Sequence, residues 1–276
     1  MRTAIKNQRC MLALILFLGV TFCERRAAAQ SDYTVVTIED PGTITGTIRW
    51  TGPVPKIPTL PITKNADTCD PESHKVRDLE RLLINSDGGV ANTVVYLKDI
   101  TRGKPMDLPE ARQRLDQKTC RYFPHIMLVA QGGNLEIKNS DPILHTVHMM
   151  GAASNNVPFP FQNHFIPVVM RRSGEVDLKC NAGHVWMNAQ VLVVKHPYYA
   201  VTDEGGAFKL TDVPPGEYQI EAWHEGWRII SEERVLDVAA QVEVSRPIYS
   251  QSETWTKTVT VRAGHTSQVD FAISGK

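Results

Sequence analysis

The 276-residue chain contains no Gly-x-Ser-x-Gly, no His-Glu-x-x-His and no P-loop sequence. Those absences exclude the common signatures of nucleophile-elbow hydrolases, zinc proteases and phosphate-cradling enzymes. Helical periodicity is scarce, and only Pro109–Leu115 reads as one or two helical turns. There is no basic excess to serve as a nucleic-acid footprint, since 30 Lys and Arg balance 30 Asp and Glu. Nor does any stretch after the first thirty residues run apolar for long enough to span a membrane. Cysteine is sparse too, with five in all.

The N-terminus carries the one long apolar run. Arg2, Lys6 and Arg9 precede Met11–Leu18, and Ala27-Ala28-Ala29 supplies a small-residue cleavage site. This order reads as a secretory signal over residues 1–29, and the run is too short for a comfortable membrane span. Those residues carry five basic groups and one acidic group, which leaves 25 basic against 29 acidic. The expected location is periplasmic or secreted. A mildly acidic surface suits a basic redox partner.

Cys10 and Cys23 leave with the signal, so Cys69, Cys120 and Cys180 remain. Three is odd, and an oxidising compartment then leaves one thiol free or bound to a metal. The economical pairing is Cys69 with Cys120, which keeps Cys180 as a ligand. The alternative is a bridge to Cys180, which destroys any metal site there.

Around Cys180 the chemistry concentrates. The stretch Cys180-Asn181-Ala182-Gly183-His184-Val185-Trp186-Met187 offers a thiolate, an imidazole and a thioether, and His145 lies upstream in Leu144-His145-Thr146-Val147-His148. Two imidazoles, a thiolate and a weak axial Met are the ligand set of copper electron-transfer sites. Both segments lie at strand ends. Gly174–Cys180 and Gly133–Asn139 alternate apolar and polar residues, and Ala189–Lys195 is rich in β-branched residues. Asp141-Pro142 turns the chain just before His145. His148 and His125 are additional donors by type. His148 stands three residues from His145, whereas strand neighbours share a face at spacing two, so both reach one metal only if the strand bends.

At these residues the chain resembles the cupredoxins. Asn139–His145 resembles their first-ligand segment and Cys180–Met187 their ligand loop. The Cys-x3-His-x2-Met spacing departs from plastocyanin and is similar to half of the loop in the dinuclear copper domain of cytochrome oxidase subunit II. That loop has a further Cys four residues earlier, where this chain has Val176. The resemblance therefore implies one copper ion, held by His145, Cys180, His184 and Met187, with Asn139 steadying the loop by hydrogen bonds from outside the ligand set.

Short strands separated by turns at Asp87-Gly88-Gly89, Gly132-Gly133, Asp203–Gly206 and Pro214-Pro215-Gly216 argue for an all-β chain. Residues 30–195 are expected to form a cupredoxin-like Greek-key sandwich with an N-terminal decoration. Residues 198–223 and 257–271 resemble a carboxypeptidase regulatory-like, transthyretin-type sandwich of the carbohydrate-binding-like group, so residues 196–276 are expected to form a second, smaller unit. Residues 228–255 do not fit that pattern. The strand 42–50, with its Gly-x-Ile-x-Gly-x-Ile character, is open to packing with either unit.

The order of segments over most of the chain is similar to bacterial periplasmic cupredoxin-like proteins of the methylamine-utilisation or plastocyanin-like type. The function expected from these residues is mononuclear copper electron transfer with a redox protein partner, and not catalysis. The alternatives are a glycan- or protein-binding module, with Tyr199, Trp223 and Trp227 as contacts, and copper storage or delivery.

Overall fold

The computed structural model describes residues 33–275, so the signal sequence expected over 1–29 lies outside the described residues. Within that span the regular secondary structure is almost wholly strand, joined into β-sandwiches. Among the described residues no helix is long and apolar enough to cross a membrane.

One sandwich is made by a five-stranded and a four-stranded sheet. The five strands lie in the order Asn155–Phe159, His145–Gly151, Gly174–Lys179, Asn188–Val194, Ile126–Ala130. The four lie in the order His164–Val169, Asn134–Asn139, Arg114–Lys118, Arg121–Phe123. Alternation decides what each strand buries. Leu135 and Ile137 point inward from Asn134–Asn139, and Val176 and Leu178 from Gly174–Lys179. Together with Leu115, Met127, Val147, Met149, Phe159 and Val191 they form one apolar core.

The strands Ile126–Ala130 and Asn188–Val194 run parallel, Gln190 opposite Ile126 and Val194 opposite Ala130. Every residue of Asn188–Val194 is buried, because the strand is covered on both faces. Its outer face, with Ile126, Leu128, Leu192 and Val194, packs on Val94, Leu108 and Trp223 in a separate cluster. That cluster joins the first sandwich to the rest of the molecule.

A second set of sheets contains the C-terminal strands, but not those alone. Gly42–Trp50 pairs antiparallel with Ala207–Val213 and parallel with Thr266–Gln268 and Phe271–Ile273. Val94–Leu97 lies between Tyr199–Val201 and Gly216–His224, and the latter pairs with Glu253–Val261. Two strands that precede His145 and the Cys180 loop, 42–50 and 94–97, therefore belong by hydrogen bonding with strands beyond residue 196. The Gly-x-Ile alternation buries Ile44 and Ile48 completely among Phe208, Leu210, Val261 and Phe271.

The segment Pro109–Leu115 contributes one helical turn. Glu110–Arg112 makes a single 3₁₀ turn, after which Arg114–Lys118 enters the sheet beside Asn134–Asn139. Sheet pairing outweighs the helix propensity of Glu, Ala and Arg, which is weak over so few residues.

A chain cut after residue 195 keeps His145, Cys180, His184 and Met187 but removes the sheet partners of Gly42–Trp50 and Val94–Leu97. Expression of residues 30–195 should give aggregated protein, whereas residues 30–276 should be soluble. Size exclusion and amide exchange distinguish the two.

Candidate metal centre

Three donors named from the sequence meet in space. His145 opens the strand His145–Gly151, Cys180 follows directly on Gly174–Lys179, and His184 lies in the loop that leads to Asn188–Val194. Since His145–Gly151 and Gly174–Lys179 are antiparallel neighbours, the first ligand and the loop emerge at one end of the sheet. The His145 and His184 Nδ1 atoms are 3.2 Å apart, and the Cys180 sulfur is 3.7 Å from His184 Nδ1. One ligand atom from each of the three lies within 4.8 Å of the others.

Met187 is buried in the same core, and its N–H donates to the His184 carbonyl at 2.9 Å, which closes the loop into a tight turn. Donation from the Thr146 N–H reaches the Cys180 sulfur at 3.5 Å. His145, Cys180, His184 and Met187 are each at most 2 % exposed.

The outer edges of the rings fix what the inner edges can do. His145 Nε2 faces the Asp141 carboxylate at 2.9 Å, and His184 Nε2 faces the Asn65 Oδ1 at 3.0 Å. Both partners are acceptors, so each Nε2 carries the proton and each Nδ1 is left with a lone pair. Two lone pairs and a sulfur then converge in an apolar core. That arrangement is repulsive unless a cation lies among them, either a metal ion or a proton.

The electrostatics of the metal-free site follow the same logic. Burial alone pushes the Cys180 thiol up, but hydrogen bonds from His145 and His184 outweigh it and leave the thiol well below its usual range. Burial alone lowers His145, yet the Asp141 carboxylate and Cys180 raise it to about 9. Asp141 is driven up by burial and down by His145 and by the N–H groups of Cys120 and Thr119, and the net shift is downward.

The hydrogen bonds of the Asn139 side chain go to the segments around the turn before His145. Its amide donates to the carbonyls of Ile143, Phe159 and Phe161 at 3.1, 3.2 and 3.3 Å, and its Oδ1 accepts from the Asp141 N–H at 3.1 Å. It holds the turn that carries Asp141, and so acts on His145 at one remove.

His148 and His125 lie away from the three donors. His148 sits on the face of its strand opposite to Val147 and Met149, half-buried, and burial lowers its pKa. His125 bonds through Nε2 to Glu225, which Arg81 also holds at 2.8 Å. Arg81 extends this buried cluster to the Gly226 carbonyl at 2.7 Å and to Asn188 Oδ1 at 2.9 Å. The cluster ties the residue after Met187 to the C-terminal strands. No sequence motif marked it, because Arg81 and Glu225 are 144 positions apart in the chain.

The disulfide is Cys69–Cys120, and Cys180 is free and buried. Trp223 and Trp227, offered as surface contacts, are 3 % exposed and belong to the apolar clusters. Tyr199 stacks on Tyr96 at 4.8 Å in the wall of a cleft of about 500 Å³.

Residues 194–264 match the family described as the second β-sandwich domain of the BOS complex subunit NOMO1-like. No characterised protein sequence matches the chain at a significant level. Among solved structures, a reduced amicyanin variant is similar with 20 % identity, over 32 % of this chain and 87 % of amicyanin, at a TM-score of 0.28. A purple cupredoxin from Nitrosopumilus maritimus is similar with 16 % identity, over 29 % of this chain and 98 % of its own, at a TM-score of 0.26. A copper-containing nitrite reductase from Thermus scotoductus shares 13 % identity over 35 % of this chain and 24 % of its own length, at a TM-score of 0.26. Residues 194–264 are thus similar to a known β-sandwich domain, and the chain has weak structural neighbours among the cupredoxins.

Two variants test the assignment of the histidines. His148→Gln should leave metal stoichiometry and the visible spectrum unchanged. Glu225→Ala removes the carboxylate from a buried Arg81 and should cost about 3–5 kcal/mol in denaturant unfolding, again with an unchanged metal spectrum at low temperature. A lost visible band in the His148 variant would place that residue among the ligands.

Proposed function

We propose that the protein is an exported mononuclear copper protein that carries electrons. The observation that supports this reading most is the convergence of two Nδ1 atoms and the Cys180 sulfur in a buried core, with both Nε2 atoms already committed. The donor set fits copper, since imidazole and thiolate together serve both of its oxidation states. His145, Cys180 and His184 would hold the ion, with Met187 as the fourth donor. Bound there, copper supplies one-electron chemistry.

The protein's own contribution is rigidity. Cys180 and His145 are fixed by sheet pairing, and the loop is pinned by Thr146, whose hydroxyl accepts from the Asn181 N–H at 2.7 Å. Burial of all four donors leaves no open position for a substrate, which favours a carrier over an enzyme. A buried disulfide favours an oxidising, exported location. A redox protein is the expected partner. A second reading, contact with another protein or a glycan through the C-terminal sandwich, draws on the Tyr96–Tyr199 cleft and on the matched family, whose description is of a complex subunit.

Copper added to metal-free protein should give one ion per chain and an intense visible band. Cys180→Ser should abolish that band, because a hydroxyl cannot replace covalent sulfur donation. Met187→Leu should keep the colour and raise the potential, as the apolar side chain disfavours the more highly charged oxidised ion. Protein that takes up only zinc, or none, under copper excess would overturn the reading.

Metal uptake should also displace a proton. Since His145 is raised to about 9, the metal-free site is protonated at neutral pH. Copper must remove that proton, so affinity should rise with pH up to about 9 and then level. The native-state preference for the proton is fully present below the ordinary histidine range and fades as pH rises through 9. Proton release in weakly buffered solution, read during copper titration at pH 7, should approach one per ion.

A further inference from the structure

The two imidazoles are held from behind by Asn65 and Asp141, and these two residues are physically joined. Asn65 opens the short helix Ala66–Cys69, and its carbonyl accepts from the N–H groups of Thr68 and Cys69 at 3.0 and 2.8 Å. Cys69 is bonded to Cys120. The N–H groups of Cys120 and Thr119 donate to the Asp141 carboxylate at 2.8 and 2.7 Å. A continuous bracket therefore runs from the acceptor behind His184, through the disulfide, to the acceptor behind His145. The Cys120 carbonyl also accepts from the Trp186 indole N–H at 3.1 Å, which ties the bracket to the ligand loop.

The neighbouring residue completes it. Lys64 donates to the Ala182 carbonyl at 3.0 Å and pairs with Asp237 at 2.5 Å. Asp237 ends the strand Ile229–Asp237, which forms a hairpin with Val242–Tyr249. That hairpin lies on the ligand loop: the Val238 N–H donates to the Asn181 carbonyl at 3.0 Å, and Arg246 donates to Asn181 Oδ1 at 2.9 Å. Gly183 permits the approach, for a Cβ there would lie 2.1 Å from the Asp237 carboxylate, and its φ is +82°.

We infer that Asn65 is a positioning residue of the metal centre, and that the Cys69–Cys120 bridge sets Asn65 and Asp141 as one frame around both imidazoles. The inference rests on the copper reading above. Asn65 is itself exposed, and among the described residues its side chain bonds to the buried His184 ring. An exposed side chain of this kind contributes little to folding, so its effect should appear at the metal and not in stability. An acceptor behind an imidazole raises its basicity and fixes its orientation, and loss of such a partner typically weakens metal binding about 10–100-fold.

The test uses the full chain with two substitutions. Asn65 has a φ of 52°, which Gly adopts without strain. Asn65→Gly thus deletes the acceptor and spares the backbone, while Asn65→Asp keeps an acceptor and adds charge. Copper release to a competing chelator should be roughly tenfold faster in Asn65→Gly. Its potential should rise, because a less basic His184 favours the reduced ion. Asn65→Asp should lower the potential and restore slow release. Thermal midpoints should stay close to that of the unsubstituted protein. Equal release rates and potentials in all three proteins would overturn the inference.

A readout free of copper separates this inference from the reading it rests on. Nitrogen NMR of the metal-free protein should find His184 protonated at Nε2, with that preference weakened in Asn65→Gly. Should the unsubstituted protein bind no copper, the functional reading fails, and an unchanged His184 tautomer in Asn65→Gly would sink the positioning role independently.

Discussion

Two imidazole nitrogens and a sulfur turned toward one another inside an apolar core repel unless a positive charge lies between them. Around this unfavourable contact the rest of the molecule is arranged. Sheet pairing brings His145 and Cys180 to the same end of two antiparallel strands and does not let them part. The outer ring nitrogens are already bonded to Asp141 and Asn65, so neither ring can turn its lone pair away. In metal-free protein a proton relieves the repulsion, with His145 raised and Cys180 lowered. The same strain makes the site receptive to a soft cation.

The donor set was legible because its residue types are rare and their spacing is local. Cys180, His184 and Met187 fall within one loop, and alternation marks the strands on either side. The all-β class was legible for the same reason, and Cys69–Cys120 followed from counting the thiols that remain beside a ligand. Partner choice between distant strands was not legible. Gly42–Trp50 reads plainly as a strand, but alternation states which residues turn inward, not which sheet receives them. Its partners lie at 207–213 and 266–273.

What surrounds the ligands was legible least. Asp141 stood in view, yet its proline neighbour made it look like turn punctuation alone. Asn65 sits in a proline-rich stretch that reads as loop, and nothing local links it to a histidine 119 positions later. Residues 228–255 did not fit the sandwich pattern in sequence, yet they lie inside the matched span 194–264 and fold as the hairpin 229–249 against the Cys180 loop. Arg81 and Glu225 look like ordinary surface residues in sequence and His125 like an additional metal donor, and only the fold buries the three together.

The pairing of Lys64 with Asp237 spans 173 residues and closes over the loop that holds His184. A chain emerging from its N-terminus has made all four donors before Asp237 exists. Contacts of such long separation are slow to form, since the loop entropy is lost before they give anything back. The centre is therefore open while the protein is being made and sealed once the chain is whole. The thiol of Cys180 stays exposed until the last hairpin closes, and any metal that is to enter the centre has only that interval to do so.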